Sequence, residues 1–90
     1  MDDLHRYLNK KMQDPTFASE YEALRPEYEA IHAMIAARIE TNMTQKQLAE
    51  KTGIRQSNIS RIENGSSSPT VETLARIAAG MGKRLKIDFV

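Results

Sequence analysis

The chain has 90 residues, of which 40% are hydrophobic and 28% are charged, with a formal net charge of +1. This length predicts one small domain with a modest core, and the absence of cysteine excludes a disulfide framework or a thiolate metal site. No apolar run approaches membrane-spanning length and the first residues lack the apolar core of a signal peptide, so we expect a cytoplasmic protein without membrane contact.

The charges are distributed unevenly along the chain. Residues 1–40 carry eight acidic and five basic side chains, whereas residues 41–90 carry four acidic and eight basic ones. A basic second part suits contact with phosphate, and an acidic first part suits a basic protein partner. A chance split in so short a chain is the alternative interpretation.

Two short amphipathic helices are predicted at the start of the chain. The first covers residues 4–12 and ends before Pro15, because proline disfavours helical geometry in the residue that precedes it. The second covers residues 16–24 and places Phe17 and Tyr21 on one face. Neither helix is long enough to be stable alone, so we expect both to dock on the domain core, on a second copy or on a separate protein.

A long scaffold helix is predicted to begin at Pro26, since the missing N–H of a proline would be unpaired at the first helical position anyway. The helix is expected to end near residues 41–43. Its apolar stripe comprises Tyr28, Ile31, Ile35 and Ile39. His32 lies beside this stripe with no second ligand at metal-binding spacing, so we predict neither a metal site nor any cofactor.

Residues 44–65 predict two short helices that are joined by a tight turn. Thr44, with Gln47 three residues later, forms the sequence signature of a capping box. Gly53 is expected to end the first helix, because a residue without Cβ adopts left-handed backbone without steric cost. The inward positions have the spacing of two helices that cross at a steep angle. They are Leu48, Ala49, Ile54, Ile59 and Ile62.

The outer face of the second helix carries polar side chains that suit a DNA major groove. These are Gln56, Ser57, Ser60 and Arg61. Short or forked hydrogen-bonding groups at the front of a helix are what base edges require. A solvated surface is the alternative, but such surfaces usually mix Glu with Lys, and this face does not. The run from Glu63 to Gly65 is expected to end the helix.

One further helix is predicted after the loop formed by residues 66–69, which we expect to pass near the DNA backbone. Thr70 is its predicted N-cap, and Gly80 and Gly82 are its predicted end. Its inward face is predicted to comprise Val71, Leu74, Ala75, Ala78 and Met81.

Residues 83–90 alternate apolar and polar side chains, which predicts a half-buried strand. An unpaired strand exposes a row of N–H and C=O groups, and the same strand of a second copy can pair with it antiparallel about a two-fold axis. We therefore predict a homodimer with Leu85, Ile87 and Phe89 as the dimerisation residues. A frayed segment is the alternative.

Residues 44–65, TQKQLAEKTGIRQSNISRIENG, are similar to the Cro and repressor type of helix-turn-helix, whose pattern T-Q-x-x-L-A-x-x-x-G-[VI]-x-Q-x-x-[IV]-S-x-[IL]-E-x-G they match almost throughout. The whole chain resembles small antitoxins of the HigA type, through its DPxF, EYEAL and PEYE runs and its closing GK-[RK]-L-x-[IV]-x-[FL] segment. The resemblance implies an all-α, five-helix Cro/repressor-like domain with short N-terminal helices and one C-terminal β-strand that pairs across a dimer. Residues 1–25 would bind a partner, 26–82 would form the helix-turn-helix DNA-binding domain, and 83–90 would form the dimerisation strand.

The same resemblance implies a role for each polar residue of the motif. The implied base readers are Gln56, Ser57 and Arg61. The implied phosphate contacts are Thr44 (through its backbone at the helix start), Gln45, Arg55, Asn58, Ser60 and Asn64. Arg55 stands where the family often has a Ser or Thr cap, so we expect the second helix to lack a side-chain cap.

The implied function is that of a repressor that binds an inverted-repeat operator in double-stranded DNA as a homodimer. No Gly-rich phosphate loop, nucleophile elbow or Cys/His pair indicates an enzyme. The antitoxin resemblance adds autoregulation of the operon and a basic RelE/ParE-superfamily toxin, an mRNA endonuclease. Its predicted contacts are Phe17, Glu20, Tyr21 and Glu22. A stand-alone XRE-family regulator without a toxin, or a module that binds only protein, are the alternatives.

Overall fold

The computed structural model describes Arg6, Gln13 and residues 15–90. Within residues 15–90 the chain forms four α-helices, and we label them in chain order. They are α1 (Pro15–Glu40), α2 (Gln45–Thr52), α3 (Gln56–Glu63) and α4 (Val71–Gly80). The prediction of an all-helical domain is confirmed over this part of the chain, whereas the helix predicted over residues 4–12 lies outside the described residues. None of these four helices is long and apolar enough to cross a membrane.

Helix α1 is continuous where two separate helices were predicted to meet. It runs for 26 residues with Pro26 in its interior, so the predicted break before Pro26 is wrong. An interior proline removes one backbone hydrogen bond and crowds the preceding turn, which is why the sequence indicated a boundary there. Side-chain contacts span the proline, because the rings of Tyr21 and Tyr28 stack with their centroids 5.0 Å apart. The predicted segment boundary at residue 25 therefore falls within one helix.

The core lies between the second half of α1 and the other three helices. Its buried side chains are Met34, Leu48, Ile59, Ile62, Ile77 and Met81. The α1 residue at its centre is Met34 and not the predicted isoleucine stripe, since Ile39 is 62% exposed and Ile31 and Ile35 are only half-buried. Successive helical residues are about 100° apart, so Ile35 and Ile39 lie about 100° and about 140° around α1 from Met34, and Ile31 lies about 60° from it. The half-buried Ala37 also packs against the core.

The helix-turn-helix unit forms as predicted. The hydroxyl of Thr44 accepts from the backbone N–H of Gln47, whose side chain accepts from the backbone N–H of Thr44. Gly53 follows α2 in left-handed backbone with a φ of 74°. Arg55 precedes α3 without a side-chain cap, as expected. Leu48 is fully buried, and the half-buried Ala49 and Ile54 pack against the core.

Helix α4 packs directly on the end of α2. A Cβ atom at Gly80 would lie 2.5 Å from Cγ2 of Thr52, so only glycine fits there without a shift of the neighbouring groups. Thr70 caps α4 as predicted. The core-facing side of α4 includes the fully buried Ile77, however, and the predicted inward residue Val71 is 59% exposed. The predicted inward residue Ala75 is also exposed.

Residues 83–90 form neither helix nor strand within the single chain. A strand needs the N–H and C=O groups of a second strand, and no residue between 15 and 90 is in a strand, so the predicted strand has no partner within that range. Leu85 is half-buried, Ile87 is 57% exposed and Phe89 is completely exposed. Pairing of this segment across a dimer stays a prediction.

Candidate nucleic-acid interface

The outer face of α3 consists of polar side chains that have no partner in the fold. Ile59 and Ile62 fix the inward side of the helix because both are buried. With about 100° between successive residues, Ser57 and Arg61 lie on the opposite side. Gln56, Ser57, Asn58 and Arg61 are exposed and Ser60 is half-buried. None of these five side chains forms a hydrogen bond or an ion pair with another described residue. The three predicted base readers are therefore displayed on one fixed helix.

The start of α3 combines free donors with a positive charge. Arg55 is the N-cap residue, and its side chain makes no cap hydrogen bond. The backbone N–H groups of Gln56 and Ser57 have no partner within the helix, as at every helix start. Such an end carries a partial positive charge, to which the exposed Arg55 adds a full one. The chemistry here suits a phosphate or another acceptor.

A nearly buried ion pair holds α3 against α1 and the start of α2. The Nε and Nη2 atoms of Arg38 each donate to the carboxylate of Glu63 at 2.8 Å, and Nη1 donates to the backbone oxygen of Met43 at 3.0 Å. The Arg38 and Glu63 side chains are only 16% and 7% exposed. The hydrogen bond with Glu63 raises the pKa of Arg38 above its usual range. Gln45 completes the network by donating from Nε2 to Oε1 of Glu63 at 3.1 Å.

The predicted phosphate-contacting residues lie mostly at the two ends of α3. Gln45, which binds Glu63, and Asn64, the C-cap residue, lie at its end. Arg55 and Asn58 lie at its start, where they line a polar cleft of about 450 Å³ together with residues 67–70. Phosphate contacts fix the register of a protein on DNA while other side chains read the bases. Predicted phosphate contacts at both ends of α3, with the predicted base readers between them, are consistent with that division of roles.

Hydrogen bonds within the fold limit what two of these residues can offer. The backbone N–H of Thr44 is already donated to Oε1 of Gln47, so a phosphate contact from Thr44 has to come from its hydroxyl. The side-chain oxygen of Asn64 accepts from the backbone N–H of Ser66 at 2.9 Å. Its amide NH₂ group is left as the available donor, and a donor is what a phosphate needs.

Sequence reasoning missed the positioning role of Arg38 and Glu63, and it also left out Lys46. Glu63 occupies the E of the quoted E-x-G pattern, which was the available signal, whereas nothing in the spacing marked Arg38 as its partner. Lys46 is exposed in the first turn of α2, beside the predicted contact Gln45. Within the described residues no group of three or more His, Cys, Asp or Glu side chains is placed to hold a metal ion.

Comparison with protein families agrees with this geometry. The family model HTH_3, described as Helix-turn-helix, matches residues 34–87. The chain belongs to this helix-turn-helix family. The matched range contains α2, α3 and α4 together with the core-facing end of α1. The predicted resemblance is thereby confirmed at the level of an XRE-type helix-turn-helix domain.

Two relatives show what this helix-turn-helix protein is similar to. An uncharacterized HTH-type transcriptional regulator of Haemophilus influenzae is 40% identical over 57 residues, which are 63% of this chain and 58% of the relative. Antitoxin HigA1 of Mycobacterium tuberculosis is 31% identical over 87 residues, which are 96% of this chain and 58% of the relative. The chain thus spans just over half the length of these curated relatives. No solved structure gives a significant match.

Proposed function

We propose that the protein is a sequence-specific repressor of transcription that binds an inverted-repeat operator as a homodimer. The outer face of α3 carries this proposal. Its exposed side chains are polar and unpaired, and the helix that bears them is fixed by buried isoleucines and by the Arg38–Glu63 ion pair. In the proposed complex Arg61 donates to a guanine, Gln56 and Ser57 bind neighbouring bases, and donors at the ends of α3 bind phosphates.

Operator titrations at several salt concentrations test this proposal. Each neutralised phosphate contributes about −0.9 to the slope of log K against log salt concentration, so specific binding should have a steep negative slope. An inverted repeat from the upstream region of the protein's own gene should bind at least about 10³-fold more tightly than shuffled DNA of the same length. Equal affinity for the two DNAs would contradict a sequence-specific repressor.

We further propose that the protein is an antitoxin whose helix α1 binds a basic RelE/ParE-like toxin. The carboxylates of Glu20 and Glu27 are exposed, lie on the same side of α1 and form no ion pair with a described residue. Tyr21, half-buried, and Leu24, 39% exposed, add apolar surface beside them. An acidic helix with aromatic anchors suits a basic partner with apolar pockets. The name of the Mycobacterium tuberculosis relative, Antitoxin HigA1, supports this assignment.

The predicted toxin contacts differ in what they offer. Glu20 is exposed and unpaired, so its carboxylate is available to a basic side chain. Glu22 instead accepts hydrogen bonds from Arg25, and this lowers the pKa of Glu22. We therefore propose that Glu20 and Tyr21 contribute more to toxin affinity than Glu22. The side chain of Phe17, the remaining predicted contact, lies outside what the structure describes.

Charge reversal on opposite sides of α1 tests the antitoxin proposal. Glu20→Lys and Glu29→Lys change the net charge equally, but the two positions are about 180° apart around the helix. With a basic toxin encoded by the neighbouring reading frame, Glu20→Lys should weaken binding at least about tenfold, and Glu29→Lys should change it little. Operator affinity should stay the same in both variants.

A stand-alone regulator of the XRE family is the second candidate. It is favoured by the Haemophilus influenzae relative, which is described only as a transcriptional regulator. Sequence-specific operator binding by a protein that neutralises no toxin and has no adjacent toxin gene would support it over the antitoxin proposal.

A further inference from the structure

An apolar groove of about 230 Å³ runs between α1 and α4. On the α1 side it is lined by small residues, including Ala33 and Ala37, and on the α4 side by larger ones such as Leu74. The side chains of the described chain leave this space open because alanine does not reach across to α4. The groove is separate from the outer face of α3.

The segment that follows α4 borders this groove. Leu85 lines the groove, together with Lys83, Arg84 and Lys86. Further along the same segment Ile87 is 57% exposed and Phe89 is completely exposed. An unfilled apolar groove and an exposed phenyl ring therefore lie in one short region, yet Phe89 does not line the groove of its own chain.

The sequence of this segment selects one register for antiparallel pairing with a second copy. A two-fold axis at Ile87 places Leu85 opposite Phe89 of the second copy and Lys86 opposite Asp88 of the second copy, so apolar groups meet and opposite charges meet. An axis at Lys86 would instead set two lysines side by side, which is destabilising. An axis between these two residues would place Leu85 opposite a carboxylate.

We propose that two copies pair antiparallel through residues 83–90 about a two-fold axis at Ile87, and that Phe89 of each copy fills the α1–α4 groove of the other. This inference rests on the proposed homodimer and specifies its interface. Since Leu85 lines the groove and lies opposite Phe89 of the second copy in this register, the register brings the phenyl ring of the second copy next to a residue of the groove lining. The exchange is reciprocal, as a two-fold interface requires.

Disulfide cross-linking tests the register. The chain contains no cysteine, so a single introduced cysteine can form a disulfide only with the same cysteine of a second copy. Residues directly opposite in an antiparallel pair have Cα atoms about 4.5 to 5.5 Å apart, within the range of a disulfide, and diagonal neighbours are about 7 to 8 Å apart, outside it. Under mild oxidation Ile87→Cys should form a covalent dimer, and Lys86→Cys should not. The reverse pattern would overturn the proposal.

Filling the groove tests the position of Phe89. Ala33→Phe places a ring where Phe89 of the second copy is proposed to lie, and the matched variant Ala36→Phe places the same ring on an exposed position outside the groove. Sedimentation equilibrium should give a dimer dissociation constant at least about tenfold higher for Ala33→Phe, with Ala36→Phe like the wild type. Thermal unfolding of both variants verifies that each is folded.

The possible failures separate the groove proposal from the proposed homodimer. If Ile87→Cys forms the cross-link and Ala33→Phe dimerises like the wild type, the groove assignment would be overturned. The proposed pairing of residues 83–90 would still hold. A wild-type protein that stays monomeric up to millimolar concentration would overturn the homodimer itself, and with it the groove assignment. Operator titrations on the same variants report separately on DNA binding.

Discussion

Replacing Glu63 by alanine should lower the free energy of unfolding by about 3 kcal/mol. The substitution leaves the guanidinium of Arg38, which is 16% exposed, without two hydrogen bonds of 2.8 Å. Breaking a buried ion pair by removing one partner costs about 3 to 5 kcal/mol. The lower end applies because Arg38 keeps its hydrogen bond to Met43 and some contact with water. For a domain of this size the loss corresponds to a fall in Tm of about 12 to 24 °C.

A double-mutant cycle shows whether the ion pair itself is responsible. Arg38→Met alone should also destabilise, because it leaves a nearly buried carboxylate. Glu63→Leu alone should destabilise for the reason given for Glu63→Ala, and it completes the cycle. Combining Arg38→Met with Glu63→Leu removes both charges and fills the space with apolar groups, so the double variant should lie within about 1 kcal/mol of the wild type. Urea unfolding at pH 7, followed by circular dichroism, measures all variants. Additive losses, or a Glu63→Ala variant as stable as the wild type, would refute the reasoning.

Three further predictions concern α1 and the contact between α2 and α4. Gly80→Ala should lower the free energy of unfolding by about 1 to 3 kcal/mol in spite of the better helix propensity of alanine, because its Cβ would lie 2.5 Å from Cγ2 of Thr52. Adding Thr52→Ser, which removes that methyl group, should restore part of the loss. Pro26→Ala should slow amide hydrogen exchange in the first half of α1, since it returns a backbone donor to an unbroken helix; unchanged exchange would mean that the helix begins at residue 26. The pKa of Glu22, lowered by its hydrogen bond with Arg25, should rise in Arg25→Ala when followed by NMR. The carboxylate's contribution to α1 stability is therefore complete above its ordinary pKa and is lost as the pH falls through the lowered value.

The helix-turn-helix unit could be predicted in detail because its signals act over a few residues. The capping box of Thr44 and Gln47 needs only its own turn of helix, and Gly53 needs only its own backbone conformation. The absence of a side-chain cap at the start of α3 could also be predicted, because Arg55 stands where a Ser or Thr often caps this helix. The polar outer face of α3 followed directly, because burying Ile59 and Ile62 determines which residues face outward.

Helix α1 was predicted less well because its structure depends on competing effects. A proline favours a helix start at Pro26, but an interior position is possible when the neighbouring turns are otherwise stable. Two sides of the helix also have apolar residues at helical spacing, and hydrophobicity alone favoured the isoleucines. The fold buries Met34, whereas Ile39 is 62% exposed.

Two features depend on partners that are remote in the sequence. Arg38 and Glu63 are 25 residues apart, and their contact exists only after α1 and α3 pack together. Residues 83–90 have the alternation of a strand, but hydrogen bonds for a strand must come from a second segment, and residues 15–90 provide none. Periodicity therefore indicates what the segment is suited to, and its pairing with a second copy stays a prediction.

Operator recognition by the Arg61→Ala variant tests most directly whether the outer face of α3 reads DNA bases. Arg55→Ala is the matched control, since both arginines are exposed and both substitutions remove one positive charge. Titrations against all single-base variants of the operator should show that Arg61→Ala loses about 1 to 3 kcal/mol and relaxes preference at one symmetric pair of positions. Arg55→Ala should weaken binding to every sequence by a similar factor. Identical specificity profiles for the two variants would contradict the assignment of α3 as the reading helix.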